Sequence, residues 1–520
     1  MTTQEQSYLL AIDNGTQSVR ALVFDLKGQL IAKTKVEIDP YYSKQPGWAE
    51  QDLEYIWENL CKACNQLWEE IDFPKEWIKG VSITTQRATV ANLDKQGAPL
   101  RPAMLWLDQR QAELTPMKGP WSLIFRAIGE KPSLDYFRSE AECNWIAQNQ
   151  PDIWKNTDKF LLLSGYHIHK LCGEFVDSSA AQVGFIPFDF KRFDWCKDSD
   201  WKWAALPVKR SMLPRIVKPG GLMGHITAQA SQETGLPKGL PLISSGADKA
   251  CEVIGSGALT PDIGCLSYGT TATYNNTNKK YVEVIKHIPP YPAAIPGTYN
   301  NEIIIRRGYW MVNWFKQEFG HRERKLAAEQ GVVPEVLFDE LLRQVPAGSM
   351  GLTLQPFWSP GVKIPGPEAK GAIIGFGDVH TRAHIYRAII EGLAYALREG
   401  KERVERKNGV KIQTLRVSGG GSQSDEAMQI TADIFNLPAE RPHTFETSGL
   451  GAAINVAVGV GLHANHRTAI AKMTRKGDVF FPNRENVKIY DKLYKEVYLS
   501  MYDSLSPLYK AIQKITGYPK

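Results

Sequence analysis

The sequence has no Gly-x-x-x-x-Gly-Lys-Ser/Thr stretch, so a P-loop nucleotide site is excluded. Cysteines are sparse and odd in number, seven in 520 residues, which excludes a disulfide scaffold and reads as reduced thiols in the cytoplasm. Cys61 and Cys64 form one C-x-x-C in a helix-like stretch. Without a second pair they cannot complete a zinc site, and they read as half-buried helix residues. No apolar run is long enough to span a bilayer, and Met1-Thr2-Thr3-Gln4-Glu5-Gln6 lacks the basic flank and apolar stretch of a secretion signal. The net charge of +6 is small for this length and is not gathered into a basic run, which argues against nucleic acid as a partner. His167 and His169 lie two positions apart in a helix-like segment and cannot share a face, so they do not form a metal pair. Low-complexity segments and long Pro/Gly/Ser linkers are also missing. At this length the expectation is two large domains, packed together and hinged, with a boundary near Ser245 that gives 1–245 and 246–520.

What is present begins at Leu9-Leu10-Ala11-Ile12-Asp13-Asn14-Gly15-Thr16-Gln17-Ser18-Val19-Arg20, two apolar runs flanking an Asp-Asn-Gly-Thr turn. That pattern predicts a hairpin. The glycine lets backbone approach a ligand, Asn14, Thr16, Gln17 and Ser18 offer small polar groups, and Asp13 is placed to orient a metal-bound water. A second Gly-Thr turn, Tyr268-Gly269-Thr270-Thr271, follows about half a chain later. Two such turns suggest a duplicated domain with a nucleotide held between the halves. The expected order is strands Tyr8–Asp13, Val19–Asp25 and Leu30–Ile38, then a helix from about Asp52, then the strand Val81–Thr85 and a hairpin at Val90–Leu93 turning through Asp94-Lys95-Gln96-Gly97. This α/β order is not the plain alternation of a Rossmann domain.

Further motifs have two readings each. Gly419-Gly420-Gly421 follows the strand Thr414–Val417 and precedes a helix with Ala427, Ile430, Ile434 and Leu437 on one side. It is either a tight turn or a ligand loop. Asp425 and Glu426 in the first helical turn would repel a phosphate, so the loop is expected to receive an uncharged group such as adenine or ribose. Asp248, in Gly246-Ala247-Asp248 after a short apolar strand, is either a general base or a helix N-cap. Arg87 is a substrate ligand or a surface cation, and Asp108-Gln109-Arg110 a strand-end polar cluster or a simple loop.

The order of these segments resembles the FGGY family of carbohydrate kinases over nearly the whole chain. The resemblance rests on the Asp13–Arg20 turn, Gly47-Trp48-Ala49-Glu50-Gln51-Asp52, Trp106-x-Asp108-x-Arg110, Gly246-Ala247-Asp248, Gly269-Thr270 and Gly419-Gly420-Gly421. Most specific is Gly371-Ala372-Ile373-Ile374-Gly375 followed by His384-Ile385 and Ala388-Ile389-Ile390-Glu391-Gly392, with Phe376 where a smaller aliphatic is usual. The resemblance implies two actin-like (ribonuclease H-like) ATPase domains flanking a central nucleotide and sugar cleft. It implies transfer of the γ-phosphoryl group of ATP to a hydroxyl of a small sugar or polyol. Asp248 would be the catalytic base, and Asp13 and Asp248 would hold Mg²⁺. ATP would contact Thr16, Gln17, Ser18, Arg20, Gly269, Thr270, Gly308, Gly419, Gly420, Gly421 and Ser424. The substrate would contact Gln86, Arg87, Tyr136, Asp248 and Lys249. The resemblance leaves room for a homodimer.

Departures from the family pattern bear on the substrate. Thr85-Gln86-Arg87-Ala88-Thr89 resembles a glycerol kinase segment in which a glutamate, here Ala88, would bind a glycerol hydroxyl. The Met-His pair of xylulose kinases is absent there, Glu142 stands in place of a common lysine, and Lys249 follows the base where Gln or Asn is usual. Lys249 either contacts an acidic or strongly polar substrate or is a solvated helix residue. A ketose such as a pentulose is favoured. The alternatives are a glycerol kinase-type polyol kinase and a non-catalytic actin-fold protein that senses nucleotide, which would have no need of Asp248.

Overall fold

The computed structural model describes residues 6–117, 119–332, 334–359, 361 and 365–518. The chain divides into two compact units, each discontinuous. The first comprises Met1–Gly257, Asn278–Asn300 and Glu446–Arg475, and the second Ala258–Thr277, Asn301–Phe445 and Lys476–Lys520. The single cut expected near Ser245 differs from this division, because the chain passes between the units several times. Local composition marks no linker at those crossings, since each falls inside or beside a regular element.

In the first unit a six-stranded sheet has the order Leu222–His225, Pro241–Ile243, Ile78–Thr85, Tyr8–Asn14, Ser18–Asp25, Leu30–Glu37. The last three strands form the expected antiparallel meander, with Asn14 opposite Val19 across the first turn. Strand Ile78–Thr85 runs parallel to the first, with Asp13 beside Thr84 and Asn14 beside Thr85. The first strand is buried throughout, as a strand covered on both faces must be. Helix Leu53–Glu70 packs Leu53, Ile56, Trp57, Leu60 and Leu67 into this core, and Asp52 caps it by accepting the Glu54 N–H. Cys61 is half-buried and Cys64 buried on this helix, as expected of helix residues.

The second unit repeats the plan. Its strands run in the order Tyr299–Ile305, Ala272–Asn278, Ile263–Tyr268, Thr414–Ser418, Ala439–Pro442, Lys476–Phe480. The hairpin Ile263–Tyr268/Ala272–Asn278 is antiparallel, Thr414–Ser418 joins it in parallel, and Lys476–Phe480 closes the edge antiparallel. Each unit therefore carries a hairpin whose first strand has a parallel neighbour. This is the duplication that the two Gly-Thr turns suggested, and it is the actin-like, ribonuclease H-like architecture.

The Val90–Leu93 strand differs from expectation. The turn at Asp94–Gly97 forms, with Gly97 N–H donating to Asp94 O at 3.1 Å, but the strand pairs mainly with Lys159–Leu162, far along the chain. Among the described residues no helix is long and apolar enough to cross a membrane.

Two histidines of the first unit, His167 buried and His466 half-buried, are held neutral. His167 Nε2 donates to Asn14 Oδ1 at 2.8 Å, and burial pushes its pKa down to about 3. His466 lies 2.9 Å from Asn455 Oδ1, and burial pushes it down to about 4. An unfolded histidine titrates near ~6.5. The unfolded chain therefore takes up protons that these folded sites refuse, so their contribution to stability is complete above ~6.5 and is lost as pH falls toward their folded values. Urea unfolding of His466→Gln should show a shallower loss of stability between about pH 6.5 and 4 than the parent. An identical pH slope would remove His466 from the account.

Candidate active site

The parallel pairing of Tyr8–Asn14 with Ile78–Thr85 brings the first turn and Gln86-Arg87 to one sheet edge. Gln86 N–H donates to Asn14 O at 2.9 Å, and the Thr16 hydroxyl donates to Gln86 Oε1 at 2.8 Å. The Trp106 indole N–H donates to Thr16 Oγ1 at 3.2 Å. The turn itself is closed by Gly15 N–H donating to Ser18 O at 3.0 Å, and the exposed Gln17 accepts the Ile38 N–H through its backbone oxygen at 3.0 Å. The structure thus brings together Thr16, Gln86 and Arg87.

Trp106 is held there by two motifs that fold onto each other. Arg110 bonds Asp108 at 2.6 Å and Glu50 at 2.9 Å, and its guanidinium lies 4.1 Å from the Trp48 ring centroid and 4.5 Å from that of Trp145. Asp108 also accepts the Ala49 N–H at 2.8 Å. Asp108 and Arg110, whose side chains are buried, are therefore a structural cluster rather than a simple loop, with the exposed Gln109 between them.

Asp13 is buried, and the Arg20 Nη2 stands 2.8 Å from its Oδ2. Burial raises the Asp13 carboxyl to about 6 against the pull of Arg20, with Asp248, Glu446 and Glu252 adding to the rise. Asp248 opens the helix Asp248–Gly255, whose N-cap is Ala247, so the capping role does not fall to the aspartate. Its Oδ1 accepts the Lys249 N–H at 2.7 Å and faces Arg87 Nε at 3.9 Å. Desolvation raises Asp248 above the usual carboxylate range, while Lys249 and Arg87 pull it back. Arg87 is no surface cation: its side chain is 18% exposed and its guanidinium lies 5.5 Å from the Tyr291 ring centroid. The next residue, Ala88, takes a left-handed φ of +48° that a residue with a Cβ adopts at a cost of about 1 kcal/mol or more. Lys249 Nζ bonds Glu252 at 2.7 Å. Tyr136, on the helix Lys131–Glu140, sets its ring edge-on to Phe185 at 6.0 Å. Glu142 opens the next helix, and burial, aided by Asp108 and Glu140, raises it to about 7.

The second unit carries the remaining expected residues. Gly269 and Thr270 sit in the hairpin turn, where their carbonyls accept the N–H groups of Tyr309 at 3.2 Å and Trp310 at 3.3 Å. Gly308 has a packing reason for its identity, since a Cβ there would stand 2.3 Å from Ala272 N. The triple-glycine loop is divided. A Cβ on Gly419 would meet the Tyr268 backbone at 2.9 Å and one on Gly421 the Tyr309 ring at 2.2 Å, whereas one on Gly420 would meet nothing within 4 Å. Gly420 alone offers an open face. The Ser424 hydroxyl is doubly engaged, donating to Asp339 at 2.5 Å and accepting the Ala427 N–H at 3.1 Å as the helix cap. The acids of that first helical turn are matched: Arg441 bonds Asp425 at 2.7 Å and Arg343 bonds Glu426 at 2.8 Å. The repulsion that the sequence assigned to them is therefore largely offset.

Sequence reasoning missed Glu446, Glu252 and Tyr291. Each reaches the site from a different part of the chain, and none lies in a Gly-rich or charged motif. The i,i+3 spacing of Lys249 and Glu252 was the one signal available.

Residues 8–255 match the N-terminal domain of the FGGY family of carbohydrate kinases, and residues 264–460 match its C-terminal domain. The chain is 31% identical over 494 residues to an uncharacterized sugar kinase of Escherichia coli (strain K12), YgcE, covering 95% of this chain and 93% of that one. The chain belongs to the FGGY family of carbohydrate kinases. It is a phosphotransferase with an alcohol group as acceptor, and kinases of this family use ATP. This kinase is also 26% identical over 515 residues to a xylulose kinase of Staphylococcus epidermidis, with 98% of this chain and 99% of the relative covered. A gluconate kinase of Lactobacillus acidophilus shares its fold, with a TM-score of 0.81 at 20% identity over 97% of this chain and 99% of the other.

Proposed function

We propose that this kinase transfers the γ-phosphoryl group of ATP to a hydroxyl of a small neutral ketose or polyol, a pentulose rather than glycerol. The observation that carries the reading is the charge-matched set around Asp248: Arg87 faces its carboxylate at 3.9 Å, and Lys249 is bonded to Glu252 at 2.7 Å. A pocket with equal numbers of cations and anions suits hydroxyls better than a carboxylate. Ala88 in place of a glutamate removes the partner that would favour glycerol.

Phosphoryl transfer needs a positioned hydroxyl, a base to receive its proton and positive charge against the phosphates. Arg87 supplies several fixed donors to vicinal hydroxyls, together with Gln86 and Tyr136. Asp248, raised by desolvation yet flanked by two cations, takes the proton of the attacking hydroxyl. Thr16, Gln17, Ser18 and Arg20 of the first turn, and Gly269 and Thr270 of the second, serve the phosphates. Gly420, with its open face, serves the adenosine moiety beside Gly419, Gly421, Gly308 and Ser424. The residues present fit Mg²⁺ by the chemistry of the donors: Asp13 is a buried carboxylate, paired with Arg20 at 2.8 Å, and carboxylate oxygens are the hard ligands this ion takes. Among the described residues no group of three or more His, Cys, Asp or Glu forms a cage, as suits an ion that keeps its water. Asp13 and Asp248 would hold the ion, which would supply charge against the phosphates. All seven cysteines are free thiols, in keeping with a cytoplasmic enzyme.

The test is ADP release with Mg-ATP across ketoses, polyols and sugar acids. Turnover of neutral ketoses is expected to exceed that of glycerol and of sugar acids, and a preference for a sugar acid would overturn the reading. Lys249→Gln sharpens it. The change leaves Glu252 without this cation, so kcat/KM for acidic acceptors should fall about tenfold relative to neutral ones, the worth of one partly screened charge. An unchanged ratio of kcat/KM between acidic and neutral acceptors would return Lys249 to a purely structural pairing.

A further inference from the structure

We propose that Glu446 is a positioning residue for the phosphate turn: it fixes one arm of the Arg20 guanidinium so that the other arm stays on Asp13. The inference rests on reading the Asp13–Arg20 turn as the phosphate turn.

The geometry is a four-member chain of alternating charge. Arg20 Nη2 lies 2.8 Å from Asp13 Oδ2, Arg20 Nη1 lies 2.6 Å from Glu446 Oε2, and Lys33 Nζ lies 2.9 Å from Glu446 Oε1. Both Glu446 oxygens are therefore used, and its side chain is only 11% exposed. Arg20 Nε is buried and makes no hydrogen bond, so the orientation of the guanidinium depends on its two terminal nitrogens. One of them is on Asp13, the group to be positioned. The other is on Glu446, which is the external reference.

That reference is rigid. Glu446 directly precedes the helix Thr447–Gly459 and accepts the Leu450 N–H through its backbone oxygen at 2.9 Å. The helix lies against Asp248–Gly255 with no room to spare: a Cβ on Gly255 would stand 1.9 Å from Thr447 O, and one on Gly451 would stand 2.0 Å from Cys251 O. Glu446 is also where the chain re-enters the first unit. A carboxylate on such a support gives Arg20 a fixed point that a surface acid would not. Arg20 and Lys33 outweigh the effect of burial and hold Glu446 below the usual carboxylate range, so it stays charged. Removing one partner of a pair this buried leaves the other charge poorly matched, which is how a group outside the site acts on it.

The test is a double-mutant cycle on the full-length protein, with Mg-ATP affinity read by calorimetry and the thermal midpoint read beside it. Arg20→Met is expected to weaken Mg-ATP binding about tenfold, and Glu446→Gln to weaken it by a similar factor. The double variant should bind no worse than Arg20→Met alone, because both changes remove the same interaction. Glu446→Asp keeps the charge and should recover part of the affinity. It also supplies the comparison should Glu446→Gln fail to fold. Additive losses would overturn the inference, as would a Glu446→Gln that binds Mg-ATP like the parent while Arg20→Met does not. An Arg20→Met that binds like the parent would instead overturn the reading of the turn itself, and the inference with it.

Discussion

Asp248→Asn is expected to lose roughly two to four orders of magnitude in kcat, the usual worth of a general base, while Mg-ATP still binds. Asparagine keeps the shape and can still accept the Lys249 N–H, the bond that Oδ1 makes at 2.7 Å. The helix start at Asp248 therefore survives the change. What is lost is the capacity to take a proton, and with it the anion opposite Arg87 at 3.9 Å. Steady-state turnover with the preferred ketose, paired with calorimetric titration of Mg-ATP, separates the two effects. Turnover near the parental rate would remove Asp248 from the role of base. Loss of Mg-ATP binding without a slower chemical step would move it to the nucleotide.

Removing Arg87 should act on the other substrate. Arg87→Ala is expected to raise the KM for the sugar about ten- to hundredfold, the value of one or two charge-assisted hydrogen bonds, with little change in the KM for ATP. The guanidinium lies between the Tyr291 ring 5.5 Å away and the Asp248 carboxylate at 3.9 Å, so its donors are partly ordered before substrate arrives. Because Arg87 also draws the Asp248 carboxyl downward, a modest fall in kcat should accompany the change. An effect on the KM for ATP alone would place the sugar elsewhere. Tyr291→Leu offers a milder version of the same test, since the ring orients Arg87 without replacing it.

The local pieces of the fold are legible in the amino-acid sequence. The apolar runs around Asp13-Asn14-Gly15-Thr16 required a hairpin, and the same pattern at Gly269-Thr270 required a second, because strand alternation and turn chemistry are written within a few residues. The helices at Leu53–Glu70 and Asp425–Phe435 followed from their apolar faces, although Leu437, expected on the second face, lies past the end of that helix. The order of motifs was enough to reach the family, and so the reaction class. The partners of the charged residues emerge only once the chain is folded. Nothing near Arg20 points to Glu446, more than 400 positions away, and nothing near Arg87 points to Tyr291. The partner of the Val90–Leu93 strand was hidden for the same reason, since its turn was legible but its neighbour Lys159–Leu162 was not. The division into units was also out of reach, because a chain that crosses between them inside regular elements leaves no compositional mark. The common cause is that hairpins, caps and amphipathic faces are governed by contacts close in sequence. Ion pairs, strand neighbours and close helix crossings such as Gly255 against Thr447 are governed by contacts close only in space.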